Sequence, residues 1–435
     1  MKMRELKRCG LFGAASLLSI SVFAGHLSNF QEPNTSQLVR SIQQHQVNVV
    51  QFGDSHTAAD YMSNALRVTL QNNLGNGGMG WGMPMYFSGQ RLTRFGYDNN
   101  HWQPISLRTQ SNEDYTLGGL LARPQEDGAT LTIKAKQSEP LQEITVSIRQ
   151  GAEDRDFQGV DARGEQFSLS APVKDGSWQL QTFKARLPFT ITAPHNPQSA
   201  LGGWWAKNAT GSGAVVSALG INGAQLQSWS SWNPVWKKQL AALKFNLVIL
   251  AYGTNEAYVR PDLDLQRKIL NNRIRDIRQA SPNTAILIVS APESLKNQSG
   301  ECGTRPAQLT EFQDMQREVA SQNHTLFWDW QAAMGGSCSM KSWMARGDAA
   351  RDGVHFSASG YNKLGNMLAE DILALANTGE VTTAARQTSS EPSNSNLKTK
   401  KPVILAHDQQ NKPSGGFASI CAVDDEASSA CKIIH

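Results

Sequence analysis

Residues 46–55 read Gln46-Val-Asn-Val-Val-Gln-Phe-Gly-Asp-Ser55. A β-branched apolar run ends in a Gly-Asp-Ser turn. That pattern is a buried strand that hands a polar loop to whatever follows. A helix is expected next, because Met62, Leu66 and Leu70 recur four apart on one face. The same strand-then-polar-turn pattern returns downstream. Val215–Ile221 leads into Asn222-Gly223, and Asn246–Ala251 leads into Tyr252-Gly-Thr-Asn-Glu256. Thr284–Ser290 ends at Ala291-Pro292, and Thr325–Asp329 reads as a further strand. Amphipathic helices are expected over 263–280 and about 308–323. A final helix carries Tyr361, Leu364, Leu368, Ile372 and Leu375, with Ser357 as its cap. Strands alternating with helices imply a parallel sheet covered on both faces.

Between the first and second of these strands the texture changes. Ala129-Thr-Leu-Thr-Ile-Lys, Glu143-Ile-Thr-Val-Ser-Ile, Trp178-Gln-Leu-Gln-Thr-Phe and Pro188-Phe-Thr-Ile-Thr alternate with period two between Gly, Asp, Asn and Pro turns. This predicts an all-β sandwich inserted at about 88–213. The intervening Gly75–Gly82 has five glycines but not the Gly-Lys-Ser/Thr ending of a phosphate loop. It reads as a tight surface crossing.

A chain of 435 residues exceeds one ordinary core. Its ends read differently from its middle. Lys2, Arg4, Lys7 and Arg8 precede an apolar stretch from Leu11 to Phe23, and Val22 and Ala24 supply small residues for a cut after Ala24. Residues 1–24 therefore read as a secretory signal. The stretch is shorter than the ~20 residues a membrane span needs, and no later run is longer. Of the formal charge of +4, the signal carries +3, which leaves the mature chain near +1. Such a balance gives no reason to expect nucleic acid as a partner. Residues 379–435, rich in Ser, Thr, Asn, Lys and Pro, read as a flexible tail. The segments 25–87 and 214–378 then form one α/β unit. Four mature cysteines in an exported chain suggest the disulfides Cys302–Cys338 and Cys421–Cys431. No Cys-x-x-Cys pair or clustered His supports a metal site.

Open α/β sheets place their sites at the carboxyl ends of strands. Three such ends carry Gly53-Asp-Ser55, Asn222-Gly223 and Gly253-Thr-Asn255. Asp352-Gly-Val-His355 lies in the loop before the final helix. A serine hydroxyl is a weak nucleophile that needs a base in reach, and His355 supplies one. Asp352 can orient the imidazole and stabilise its cation. The backbone N–H groups of Ser55 and Gly223 and the Asn255 amide can face an oxyanion. Each piece alone is ordinary turn chemistry; the order and placement of the whole set are not. His56 is read as structural, and His101 and His195 as surface or packing residues.

The four blocks resemble the SGNH (GDSL-like) hydrolase superfamily: Gly53-Asp54-Ser55, Gly223, Gly253-Thr-Asn255 and Asp352-Gly-Val-His355. Glu256 stands where the third block more often has Asp. Gly53-Asp-Ser-His-Thr-Ala-Ala-Asp60, the glycine-rich stretch through Trp81 and Gly220-Ile-Asn-Gly-Ala224 are similar to the peptidoglycan O-acetylesterases of Gram-negative bacteria. The likeness spans roughly residues 45–378. It implies a flavodoxin-like three-layer α/β fold with an inserted β-sandwich. It also implies removal of 6-O-acetyl groups from N-acetylmuramic acid in the periplasm, with no metal or organic cofactor. By this resemblance Ser55, Asp352 and His355 form the triad, and Ser55, Gly223 and Asn255 the oxyanion hole. The substrate-binding residues stay unknown; Trp178, Trp204 and Trp205 could offer flat faces for sugar rings, although a buried Trp is more often core. Alternatives are acetyl transfer to a glycan, an esterase for another acetylated polysaccharide, and a glycan-binding protein on a hydrolase scaffold. A complete triad argues against the last.

Overall fold

The structure is a computed structural model, described here for residues 25–260 and 262–377. Its central sheet runs in the order Leu27–Asn29, Leu326–Trp328, Ala285–Val289, Leu247–Ala251, Gln46–Gly53, Gly213–Gly220. The first strand is antiparallel to its neighbour. The other five are parallel. Counting these five along the chain gives the order 2-1-3-4-5, the flavodoxin-like arrangement. Its crevice opens where the order reverses, beside the first strand.

The strands were legible as buried because each is covered on both faces. Val47 and Val49 face one core, and Val50 and Phe52 face the other. Leu247, Ile249 and Ala251 join the first core, and Val248 and Leu250 the second. The first core is closed by Thr35–Gln43, Tyr61–Leu74 and Ala358–Asn377. Met62, Leu66 and Leu70 all point into it. Ser357 caps the last helix, its Oγ accepting from Gly360 N at 3.2 Å. The second core lies under Trp236–Leu243, Leu263–Ala280 and Leu309–Gln322.

The other antiparallel strands lie between Gln46–Gly53 and Gly213–Gly220 in sequence. One sheet runs Gln166–Leu169, Phe157–Val160, Phe189–Ala193, Ala129–Ala135, Phe95–Asn100. The other runs Trp178–Ala185, Gln142–Arg149, Ala200–Asn208, Leu120–Pro124, Trp102–Ser106. Phe189 of the first sheet meets Trp204 of the second with ring centroids 5.4 Å apart, so the two faces share one interior. That interior is continuous with the second core of the parallel sheet, through Trp81, Phe52 and Trp229.

One expectation needs correction. The glycine-rich stretch is no surface crossing. Gly77 to Trp81 is buried, and Gly80–Gly82 pairs antiparallel with Ala200–Asn208. The glycines are there because backbone meets backbone: a Cβ on Gly80 would lie 2.2 Å from the Val216 carbonyl oxygen. Of the two readings open for the three tryptophans, the core is the one that holds. Trp178, Trp204 and Trp205 are all buried. The Nε1 of Trp178 donates to Asp114 O, and that of Trp204 to Pro84 O. All three belong to the hydrophobic core, the usual place for so much apolar area.

Candidate active site

Strand register lines up the site. Gly220, Gly53, Ala251, Val289 and Trp328 form one row across the carboxyl edge of the sheet. Ser55 follows two residues beyond that row, Gly223 three and Asn255 four. All three therefore leave the sheet at the crevice beside Gln46–Gly53.

The Asp54 side chain accepts from His56 N at 3.0 Å and starts the short helix Ser55–Ala58. That helix sets Ser55, only 2% exposed, over the crevice. Ser55 Oγ lies 2.9 Å from His355 Nε2, and His355 Nδ1 lies 2.7 Å from Asp352 Oδ2. The other Asp352 oxygen accepts from Val354 N at 2.8 Å and His355 N at 2.9 Å. Burial alone would raise the Asp352 carboxyl. The hydrogen bond to His355, its charge and the two backbone N–H groups outweigh burial and hold the carboxyl at about 2. An ionised carboxylate only accepts, so His355 Nδ1 carries the proton and Nε2 is left to accept from Ser55.

Two further attachments fix the His355 loop. Leu295 N donates to Gly353 O at 2.8 Å, and Ala350 N to His355 O at 2.8 Å. Nearby, Cys302 and Cys338 form the expected disulfide. The other candidate pair, Cys421 and Cys431, lies outside the described residues.

Gly223 sits at φ +78° in a turn closed by Ala224 N donating to Ile221 O at 3.0 Å. Asn255 Nδ2 donates to Ala224 O at 3.0 Å, so the two candidate oxyanion elements are fastened together. Glu256 fastens them again. Its Oε1 accepts from Leu226 N at 2.9 Å, and its Oε2 is buried without a partner. Burial pushes Glu256 up to about 7 against the Leu226 bond. It pushes Asp54 up to about 8, with the neighbouring Glu256 adding to the rise and the His56 N–H opposing it. Two buried carboxyls thus stand behind the site, both raised well above the ordinary carboxylate range. Glu256 was visible in the sequence only as a departure from the usual block; its bond to the oxyanion segment needed the fold.

His56 is structural, as read, but close to the chemistry. Its ring centroid lies 5.3 Å from that of His355, and Nδ1 lies 2.8 Å from Tyr361 Oη. Burial, and then the neighbouring His355, holds it well below the ordinary histidine range, so it packs as a neutral ring. His101 pairs with Glu126 at the surface and His195 is exposed. Among the described residues, no group of three or more His, Cys, Asp or Glu is placed to hold a metal ion.

One wall of the site comes from the β-sandwich. A cleft of about 290 Å³ opens on Gly223, between Leu107–Ser111 and the segment Ile221–Ser231. Asn222 Nδ2 donates to Gly89 O, tying the same turn to the loop that enters the sandwich.

Comparison with known proteins fits this geometry. A solved peptidoglycan O-acetylesterase is 38% identical over 81% of this chain and 100% of its own, with a TM-score of 0.75. The chain belongs to the peptidoglycan O-acetylesterase family of GDSL-like hydrolases. The family description "Peptidoglycan O-acetylesterase, N-terminal" matches residues 77–190. "GDSL-like Lipase/Acylhydrolase family" matches residues 185–363. The second span holds Gly223, Asn255, Asp352 and His355; Ser55 precedes both. A GDSL-like lipase from Parabacteroides merdae is 19% identical over 37% of this chain and 74% of its own, with a TM-score of 0.31. An acetyl xylan esterase is 15% identical over 36% and 81%, with a TM-score of 0.30. Comparison with curated protein sequences returns no match.

Proposed function

We propose that this enzyme hydrolyses O-acetyl esters of peptidoglycan, at the 6-oxygen of N-acetylmuramic acid, through an acetyl-enzyme on Ser55. The observation that carries this reading is the unbroken chain Ser55 Oγ, His355 Nε2, His355 Nδ1, Asp352 Oδ2, with links of 2.9 and 2.7 Å. Ser55 Oγ attacks the acetyl carbonyl carbon while its proton passes to His355 Nε2. The carbonyl oxygen becomes an oxyanion facing the N–H groups of Ser55 and Gly223 and the Asn255 amide. The C–O bond to the sugar breaks, and the leaving sugar oxygen takes the proton back from His355. Water, deprotonated by His355, then attacks the acetyl-enzyme. Acetate leaves and Ser55 regains its proton.

Asp352 keeps His355 in the required tautomer throughout and stabilises the imidazolium between the proton transfers. No step calls on a metal or an organic cofactor. The disulfide Cys302–Cys338 fits an exported chain. Among the described residues no helix is long and apolar enough to cross a membrane. Export through cleavage after Ala24, to the periplasm where peptidoglycan lies, belongs to the same reading, as does the division into a 25–87 plus 214–378 hydrolase unit carrying the 88–213 sandwich.

Acetate release tests the substrate. Wild-type enzyme should release more acetate from O-acetylated peptidoglycan than from acetylated xylan at matched ester concentration. A preference for xylan would overturn the peptidoglycan assignment. Transfer of acetyl to an added glycan, in place of free acetate, would overturn hydrolysis.

A further inference from the structure

A second cleft borders the nucleophile helix and takes no part in the chemistry above. It encloses about 400 Å³ and is lined by Ala58, the last residue of that helix, together with Tyr61, Tyr86, Arg91 and Lys136. Arg91 N donates to Ala58 O at 3.0 Å, which holds the cleft wall one helical turn from Ser55. Tyr86 is 54% exposed, one of few large apolar side chains left in solvent among the described residues. Its exposure is the reverse of the three sandwich tryptophans, which are buried. Arg91 stacks on Tyr61 at 4.8 Å from the ring centroid. Lys136 is exposed, and its Nζ donates to Leu92 O at 3.0 Å. An ammonium has three donors, so that bond leaves two. Among the described residues no Asp or Glu lines the cleft.

The two clefts meet at one loop. Gly89 lines the Tyr86 cleft, and its carbonyl accepts from Asn222, which lines the other. A Cβ on Gly89 would stand 3.5 Å from Asn222 Nδ2 and 3.7 Å from Arg108 Nη1. The two clefts therefore share a wall at Gly89 and the Gly223 turn, and Ala58 in the Tyr86 cleft is the last residue of the helix that Ser55 begins. Two neighbouring clefts beside the nucleophile suit a polymer better than a small ester.

We propose that the Tyr86 cleft binds the stretch of anionic glycan that flanks the acetylated sugar, with the Tyr86 ring against a sugar face and Lys136 against a carboxylate of the glycan or its peptide branches. The proposal rests on the peptidoglycan reading above. Aromatic rings present a flat apolar face that matches the C–H face of a pyranose. Binding at a distance from the reacting ester helps a large substrate and does nothing for a small one. The cleft therefore sets the preference for polymer over free acetyl esters.

The test compares wild type, Tyr86→Ala and Lys136→Gln on an aryl acetate, on O-acetylated peptidoglycan, and on the same polymer after its peptide stems are removed. The readout is the ratio of kcat/KM on polymer to that on aryl acetate, in which general damage to the fold cancels. Tyr86→Ala should lower this ratio about tenfold, chiefly through KM, on both polymers. Lys136→Gln should lower it about two- to fivefold, and less so at high salt. If the lysine effect vanishes on the stripped polymer, the carboxylate is on the stems; if it persists, it is on the sugar. An unchanged ratio in both variants would overturn the proposal. A wild-type enzyme that cleaves the aryl acetate but releases no acetate from either polymer would show that the peptidoglycan reading itself has failed, before any variant is made.

Discussion

Asn255 and Glu256 are neighbours on one short helix and do different work. In the proposed mechanism Asn255 offers a side-chain amide to charge that exists only in the transition state. Asn255→Ala should lower kcat by about 10²–10³ with little change in KM. A raised KM with unchanged kcat, from initial rates on an aryl acetate, would make Asn255 a substrate-binding residue instead. Glu256 braces the segment after Gly223 while buried. Its carboxyl rises from an ordinary 4.5 to about 7 in the folded chain. A raised carboxyl binds its proton more tightly in the folded state. The stability it permits is complete below about 4.5 and is lost as pH rises through about 7. Urea unfolding should show stability falling across that window, and Glu256→Gln should flatten the fall. Asp54, raised to about 8, accounts for a remaining slope. Parallel pH profiles for wild type and Glu256→Gln would show that Glu256 does not carry the shift.

The elements were legible to different degrees, for physical reasons. Leu263–Ala280 is written in local signals: Asp262 caps it, accepting from Leu265 N at 3.1 Å, and Leu270, Ile274 and Ile277 form its buried stripe. The Gln46–Gly53 strand and the Asp352–His355 loop were legible for the same reason, since a few adjacent residues determine each. The glycine-rich stretch was not. Its conformation depends on Val216 and Lys207, more than a hundred residues away, which a local reading does not reach. For the tryptophans the local pattern left two readings open, sugar platform and core, and the fold selects the core. Residues 204 and 205 point to opposite faces of one strand, yet both are covered. Trp204 packs against Phe183 and Phe189 in the sandwich interior, and Trp205 belongs to the same continuous core. The triad was readable because its chemistry restricts residue types; the Tyr86 cleft was not, because many residue types suffice to line a groove.

At the scale of the molecule, the sandwich reads as an insert in sequence but not as a detachable module. Its interior runs on into the core beneath Phe52 and Trp229. Hydrogen bonds cross the same boundary: Gln239 Nε2 to Ser147 Oγ at 2.8 Å, Asn233 N to Tyr115 O at 2.7 Å, and Asn222 to Gly89. Replacing residues 88–213 by a short linker should therefore expose the second core and lose turnover of both small and polymeric esters. Circular dichroism of that variant should show a loss of helix as well as of strand. A folded variant that still turns over an aryl acetate would show that the catalytic sheet stands alone and that the sandwich serves substrate choice only.

The central claim is that acetyl passes through Ser55, and the covalent intermediate tests it most directly. Enzyme mixed with excess O-acetylated peptidoglycan fragments, acid-quenched within the first turnovers and digested, should carry one acetyl group on the peptide containing Ser55. Asp352→Asn should slow its formation and its decay, because both steps use the His355 tautomer that Asp352 fixes. Ser55→Ala should carry no acetyl group and lose roughly 10⁴–10⁶ in rate. Steady acetate release from Ser55→Ala, or acetyl on a different residue of the wild-type enzyme, would contradict the account.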